Sequence, residues 1–335
     1  MLKQFKVPLL INLVALVASY FIWGVSGVVT VAILTVLEVS FSFDNAVVNA
    51  KILGRMSPRW QRIFLTIGVL IAVFGMRLVF PLIIVALTAH IDPISALALA
   101  SQHPSEYAKA LTGAHIAIAT FSGTFLFMLF MDWLTEEREI HWLEPLESWL
   151  AKTGKISNFT VLLTGFILLL LSGFLNNPAT ILTIGLASML TYIVVSGLDV
   201  LFNEDSAMGM AKAGLATFLY LEVLDASFSF DGVVGAFAVS NNIFLIAIGL
   251  GIGAAYIRSL TVYLVRKGTL AEYKYIEHGA HWAIGSLAML LLATTFIDIP
   301  DTVTGLIGVV FIGLSFAHSL IENKRSSNVT AGMLK

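Results

Sequence analysis

The chain has 335 residues, of which 58 % are hydrophobic and 12 % charged, with a formal net charge of −2. Its mean hydropathy of +0.91 is far above that of a soluble domain, whose apolar share is nearer half. Such a chain has no basic surplus for nucleic acid. It has no cysteine to form a disulfide, a thiolate nucleophile or a soft metal site, so oxygen and imidazole are the ligands left for a metal.

Apolar runs broken by charged residues or by Pro, Gly and Asn predict spans at about 7–23, 28–50, 63–90, 112–131, 159–175, 179–200, 213–239, 243–265, 280–297 and 302–320. The first follows Lys3 and Lys6 like a signal sequence, yet it is long and lacks a small-x-small cleavage site, so it reads as an uncleaved span. The stretch 91–111 and the turn at Asn176-Asn177-Pro178 read both ways. Segment 132–158 mixes Glu136, Glu137, Glu139, Glu144 and Glu147 with Trp133, Trp142 and Trp149, which predicts an amphipathic helix at the cytoplasmic interface. With ten spans, all of the 19 Lys and Arg residues except Arg77, Arg258 and Lys109 fall on one side. Positive charge marks that side as cytoplasmic, with both termini on it.

Three blocks recur in order. TVLEVSFSFDNAVVNA at 35–50 matches EVLDASFSFDGVVGAF at 222–237. Ile67, Gly68, Ile71 and Arg77 match Ile248, Gly249, Ile252 and Arg258. EYAKALTGAHIAI at 106–118 matches EYKYIEHGAHWAI at 272–284. Duplication follows, and five spans per half force opposite orientations, with a binding site expected where the halves meet. The expected fold is therefore all-α: a polytopic membrane protein of about ten transmembrane helices in two inverted repeats, 1–177 and 178–335.

Five carboxylates fall inside apolar spans: Glu38, Asp44, Glu222, Asp225 and Asp231. Each costs about 2.5–3.5 kcal/mol to insert, so they must be enclosed, paired or protonated. On a regular helix Glu38, Ser42 and Asn45 share a face, as do Glu222, Asp225 and Ser229, while Asp44 and Asp231 lie about 120° from Glu38 and Asp225 respectively. Either the helices unwind at the motif or the acids form two layers. Carboxylate, hydroxyl and amide donors suit Mg²⁺, Ca²⁺ or Mn²⁺, with Glu38, Asp44, Asn45, Glu222, Asp225 and Asp231 as the candidate ligands. Arg77 and Arg258 are candidates for charge balance, and buried ion pairing is the bland alternative for the acids. His115 and His281 are candidates for a proton path or a second ion site, facing opposite mouths.

Glu38 followed by Phe-Ser-Phe-Asp44-Asn45, repeated as Asp225 with Phe-Ser-Phe-Asp231-Gly232, resembles the TerC family of bacterial membrane proteins over most of residues 30–320. Gly232 departs from the pattern, where a second Asn is expected, and Glu222 has no counterpart in it. The resemblance implies a multi-pass protein of the bacterial inner membrane that exports a divalent metal, Mn²⁺ above all, with an association with tellurium resistance.

The expected activity is secondary transport of a divalent cation by alternating access, exchanged for protons at the same carboxylates. No Walker motif is present for ATP. No cofactor, no nucleic-acid partner and no enzymatic activity are expected; the partners are the cation, protons and the bilayer, and no oligomeric state is read. The rivals are an intramembrane aspartyl protease, built on two aspartates sharing a proton, and a non-transporting scaffold whose acids are tied up in ion pairs. Asp44 and Asp231 are expected to approach each other near the midplane.

Overall fold

The computed structural model describes the backbone of residues 5–174, 178–201, 207–237, 239–268 and 272–333, and within these all side chains but those of 198–201, 207–213, 230, 231, 234, 301, 302, 305 and 326–333. Among the described residues the regular structure is helical. Hydrocarbon offers the backbone no hydrogen-bond partners, and a helix satisfies its own. Among the described residues six stretches are long and apolar enough to cross a membrane, Lys6–Phe41, Pro58–Thr88, His115–Thr135, Pro178–Gly197, Ile243–Lys267 and Leu306–Arg325, with a seventh if the bent pair Glu144–Lys155 and Phe159–Phe174 is one span. The chain is a helical membrane protein.

Helix α1 (Lys6–Phe41) is interrupted at Gly24, whose φ of 68° and ψ of −159° leave the helical region. Glycine alone takes that conformation without steric cost. The chain reverses there. Asn12 donates to the Tyr256 hydroxyl at 3.3 Å, whereas Thr35 donates to the Gly249 carbonyl at 3.1 Å. Residues before the turn therefore run against the helix that carries Tyr256, and those after it run alongside. The tight turn needs a second glycine, since a Cβ on Gly27 would lie 2.5 Å from the Trp23 Cβ and 3.1 Å from the Ser19 carbonyl oxygen. The expected boundary between 7–23 and 28–50 falls at this reversal, within a helix that runs from Lys6 to Phe41.

The helix resumes as α2 (Phe43–Gly54) after a one-residue break at Ser42, where the bond from Ser42 N to the Glu38 carbonyl is kept at 3.0 Å. The SFSFD element is thus bent in the first half, while in the second it lies inside the helix Ala207–Ala236. Next comes a rod made of α3 (Pro58–Ile63), two π-helical stretches at Phe64–Gly68 and Ile71–Val79, and α4 (Phe80–Thr88). Helices α5 (Pro93–Gln102) and α6 (Pro104–Gly113) each begin on a proline, and Asp92 caps α5 by accepting from Ile94 N and Ser95 N at 3.0 Å. Each is about half the length a span needs. Stretch 91–111 is therefore a pair of short helices packed on α4.

Helix α7 (His115–Thr135) is among the most enclosed. The expected amphipathic helix over 132–158 is instead divided: α7 runs to Thr135, α8 covers Glu144–Ala151, and one 3₁₀ turn spans Lys152–Lys155. The direction then changes by 101° into α9 (Phe159–Phe174). Pro145 starts the short helix, and its Glu147 is drawn inward rather than solvated. Helices α10 (Pro178–Leu201), α11 (Ala207–Ala236), α12 (Ile243–Lys267), α13 (Ile276–Ala293) and α14 (Asp301–Met333) complete the chain. The turn at Asn176-Asn177-Pro178 falls largely outside the described residues. α12, α7 and α13 form the interior, while Phe21, Phe174 and Leu190 stand exposed on α1, α9 and α10, as lipid-facing residues do.

Gly27→Leu should block the reversal at Gly24, because overpacking of this kind costs about 1–3 kcal/mol and here the obstacle includes backbone. The expected result is a lower melting temperature of the detergent-purified chain, with Gly113→Ala, which meets nothing within 4 Å, as the unaffected control.

Candidate functional site

The acids of the matched blocks meet the two buried arginines. Arg77 leaves the π-helical stretch Ile71–Val79 and bonds Glu38 at the end of α1 through Nη2, while Nη1 donates to the Ala72 carbonyl at 3.1 Å and lies 3.7 Å from Asp225 Oδ2. Arg258 of α12 grips Glu222 of α11 with both Nη atoms, at 2.8 and 3.0 Å, and reaches Asp225 Oδ2 at 3.1 Å. Asp225 also accepts from Asn45 Nδ2 at 2.6 Å. Asn49 in turn donates to Asn45 Oδ1 at 2.7 Å, and Ser42 donates to Glu38 at 3.1 Å. Both arginine side chains are 2 % exposed, so the network is sealed from water. Ions taken out of water are tolerated only when paired and hydrogen-bonded, and this set meets that condition save for the Nε atoms of Arg77 and Arg258, which are buried without a partner.

Two close approaches make the pairing reachable. A Cβ on Gly68 would lie 2.3 Å from Arg258 Nη1 and 2.8 Å from Glu222 Oε1, and one on Gly253 would lie 2.5 Å from the Glu38 Cβ. The guanidinium of Arg258 also rests on the Phe64 ring at 4.3 Å.

Matched residues make matched contacts. The pair Arg77–Glu38 corresponds to Arg258–Asp225, and Thr35 facing Gly249 corresponds to Glu222 facing Gly68. Glu222, which the motif does not explain, is thus the second-half counterpart of Thr35, lengthened until it meets Arg258. The departure at Gly232 has an equivalent reading. Its Cβ position lies 3.4 Å from Glu38 Oε2, the relation that Asn45 has to Asp225, but there is no amide to donate.

Asp44 is not in the network. It is buried, accepts from Asn45 N at 2.9 Å, and its Oδ2 lies 3.1 Å from the Cβ position of Gly308. The Asp231 side chain, and with it the expected approach to Asp44, lies outside the described residues. Ser40, Ser227 and Ser229 bond back to the carbonyls of Val36, Val223 and Asp225. Among the described residues no three His, Asp or Glu side chains are placed to hold a metal ion together. His115 begins α7, while His281 stacks on Trp133 near the other end of that helix at 4.3 Å, so the two stand at opposite ends as expected. No hydrogen bond among the described residues joins either to the network.

A second cluster, not anticipated as a unit, closes the end of α7 and α13. Glu147 accepts from Trp142 N at 3.0 Å, His278 Nδ1 at 2.9 Å and Trp282 Nε1 at 2.8 Å. Burial pushes this carboxyl up, but the three donors outweigh it and hold the group at about 2. Beside it Lys51 of α2 pairs with Glu277, and Arg138 covers the Trp133 ring at 3.8 Å. The spacing of His278, His281 and Trp282 on one face of α13 was the available signal.

The family model described as "Protein of unknown function (DUF475)" matches residues 43–326. The "Uncharacterized membrane protein YceF" of Bacillus subtilis (strain 168) is 26 % identical over 157 residues, which make up 43 % of this chain and 60 % of that protein. The match therefore spans less than two thirds of the relative's length. No solved structure matches the chain.

Two outcomes are expected here. Gly232→Asn should fold and place an amide against Glu38, raising thermal stability, since it adds a bond to a charged acceptor and removes a helix-interior glycine. Glu147→Gln should lower stability by about 1.5–3 kcal/mol at neutral pH, the worth of bonds to a charged group. The folded carboxyl titrates near 2 against a free value of 4.5, so its contribution is complete above about 4.5 and fades as pH falls toward about 2. Thermal melts across that window should show wild type and Glu147→Gln converging in acid.

Proposed function

From the premise that the chain belongs to the DUF475 family of membrane proteins, we propose that it is a secondary transporter for a divalent cation, Mn²⁺ foremost, exchanging it for protons. The observation that carries the reading is the sealed network of Glu38, Asp225 and Glu222 with Arg77, Arg258 and Asn45, bridging the two motif-bearing helices. Ionisable groups at such depth are costly to keep and mark transport pathways by default. The donors are hard oxygens that match Mn²⁺, Mg²⁺ or Ca²⁺, and the resemblance of the SFSFD elements to the TerC family favours Mn²⁺ and outward movement.

The reading includes ten spans in two inverted repeats. What supports it is the pairing of matched segments in opposite senses. Asn45 meets Asp225 while Glu38 lies against Gly232, Gly68 meets Arg258 while Val73 meets Gly251, and Gly123 meets Leu292 while Phe130 meets Gly285. Charge placement favours both termini in the cytoplasm, and the resemblance to the TerC family favours a bacterial inner-membrane location. Asp44 and Asp231 are assigned to the pathway beside the network, and His115 and His281 to its two ends.

One observation favours a second reading, a non-transporting scaffold: each of Glu38, Glu222 and Asp225 already holds a guanidinium. For an intramembrane protease, Asp225 is committed to Arg258 and Asn45 rather than to a second aspartate, while the Asp231 side chain lies outside the described residues.

The test is Mn²⁺ flux into proteoliposomes under an imposed pH gradient with voltage clamped. Flux that follows the gradient is expected, and Asp44→Asn, Asp231→Asn or Asp225→Asn should reduce it by an order of magnitude or more while leaving a monodisperse protein. Absence of flux in wild type would favour the scaffold, and flux indifferent to the gradient would replace exchange by uniport. Orientation is read in the same Cys-free background. A cysteine at His90 should react with an impermeant reagent from outside, and one at Glu139 should not.

A further inference from the structure

We propose that Arg77 and Arg258 are resident counter-cations that compete with the cargo, and that Asp225 is the acid they yield to it. The proposal rests on the transport reading above and assigns the arginines a role beyond fixed charge balance.

Among the described residues Asp225 is the one carboxylate shared by both guanidinium groups, and the two grips on it are the weaker contacts of each arginine. Arg258 holds Glu222 through both Nη atoms at 2.8 and 3.0 Å and Asp225 through one at 3.1 Å. Arg77 bonds Glu38 and the Ala72 carbonyl, and lies 3.7 Å from Asp225, beyond hydrogen-bond reach. Each guanidinium therefore keeps an ionised partner of its own if Asp225 is withdrawn from it. Arg77 has Glu38 and Arg258 has Glu222. Glu222 stands where the first half has Thr35, so the second half carries an additional acid whose contact is the forked grip on Arg258.

The arginines are also placed to move. Both Nε atoms are buried without a partner, so rotation about the outer bonds gives up no Nε bond. A buried donor left unsatisfied costs about 1–3 kcal/mol, and such orphans in a native fold call for an explanation. Arg77 sits in a π-helical stretch, a widened turn of the kind found at functional sites. Arg258 keeps the Phe64 face beneath it at 4.3 Å, which holds the cation whether or not Asp225 is bonded. Asn45 Nδ2, at 2.6 Å from Asp225 Oδ1, keeps that carboxylate aimed between the halves while its other oxygen changes partner. Cation and guanidinium then exclude one another at Asp225, and release of cargo is driven by return of the arginines.

This has a consequence opposite in sign to that of a positioning role. Removing a competing cation strengthens cargo binding and slows its release, whereas removing a positioning cation weakens binding. The experiment measures Mn²⁺ affinity by calorimetry and melting temperature with and without Mn²⁺, on the full-length chain in detergent, for wild type, Arg77→Gln, Arg258→Gln, Arg77→Lys and Arg258→Lys. The Gln variants are expected to melt lower than wild type without metal, to bind Mn²⁺ at least tenfold more tightly, and to regain on Mn²⁺ addition more stability than wild type gains. Their flux in proteoliposomes should fall. The Lys variants keep the charge and protect folding, and since a lysine is a point charge without the fork they should release Asp225 more readily and still bind Mn²⁺ more tightly than wild type. Equal or weaker Mn²⁺ binding in every variant, with normal binding in wild type, would overturn the competition and leave the transport reading intact. Wild type that neither binds nor carries Mn²⁺ would remove the transport reading and this inference with it.

Discussion

Everything central in this molecule follows from the cost of charge in a medium without water. An isolated ion moved into hydrocarbon loses its solvation, and only a partner of opposite sign with good hydrogen-bond geometry restores enough of it. Arg77 and Arg258 are the two cations inside the bundle, and the positions of Glu38, Glu222 and Asp225 are consequences of that fact. The helices that carry them pack closely enough for a guanidinium to span from one to another. Glycine at 68 and 253 is what that closeness demands, since a methyl group at either place would collide with the charged side chains. Packing and electrostatics are here a single constraint: the ion pairs need the close helices, and the close helices need the small residues.

The proposed duplication accounts for the form the pairing takes. Two copies of one segment facing each other in opposite senses would place each arginine near the acid of its own half and both near the interface. A symmetric arrangement would give two separate pairs. The substitutions that break symmetry, Glu222 for Thr35 and Gly232 for Asn45, join the pairs into one network centred on Asp225. That aspartate receives Asn45 from the other half, whereas Glu38 receives no amide from Gly232 and accepts instead from Ser42 of its own helix at 3.1 Å. The single Ser42 break in the first motif helix has no equivalent in the described backbone of the second, and it lies directly beside this side-chain bond.

The helical, membrane-spanning character of the chain and the acids within its apolar runs could be read from the sequence because hydropathy is a local property. What met what could not. Helical geometry put Glu38 and Asp44 on different faces, and they indeed part company, Glu38 into the arginine network and Asp44 toward Gly308. Whether the acids faced an arginine or each other depended on interhelical distance, set by glycines at 68 and 253 whose partners, Glu222, Arg258 and Glu38, lie 154 to 215 residues away in the chain. The reversal at Gly24 was visible only as a gap between two apolar runs. Segment 132–158 was misjudged in shape for a related reason: a pattern of acids and tryptophans reads as an interfacial helix, and nothing within it announces that Glu147 finds His278 and Trp282 on a helix more than a hundred residues downstream.

The cluster around that buried glutamate is also joined to the network mechanically. Lys51 ends the helix that carries Asn45 and Asn49, and it pairs with Glu277 in the first turn of α13. The same helix offers the next residue, His278, and Trp282 a turn further on, to Glu147. A displacement of α2 along its axis, which any exchange of partners at Asp225 involving Asn45 would favour, has to carry α13 with it or break the Lys51 pair. α13 in turn is held by a carboxylate with three donors and no exposure to weaken them. Helix α2 is therefore anchored by Lys51 in its last turn, so the proposed exchange of partners at the network is better accommodated by the arginine side chains than by movement of that helix.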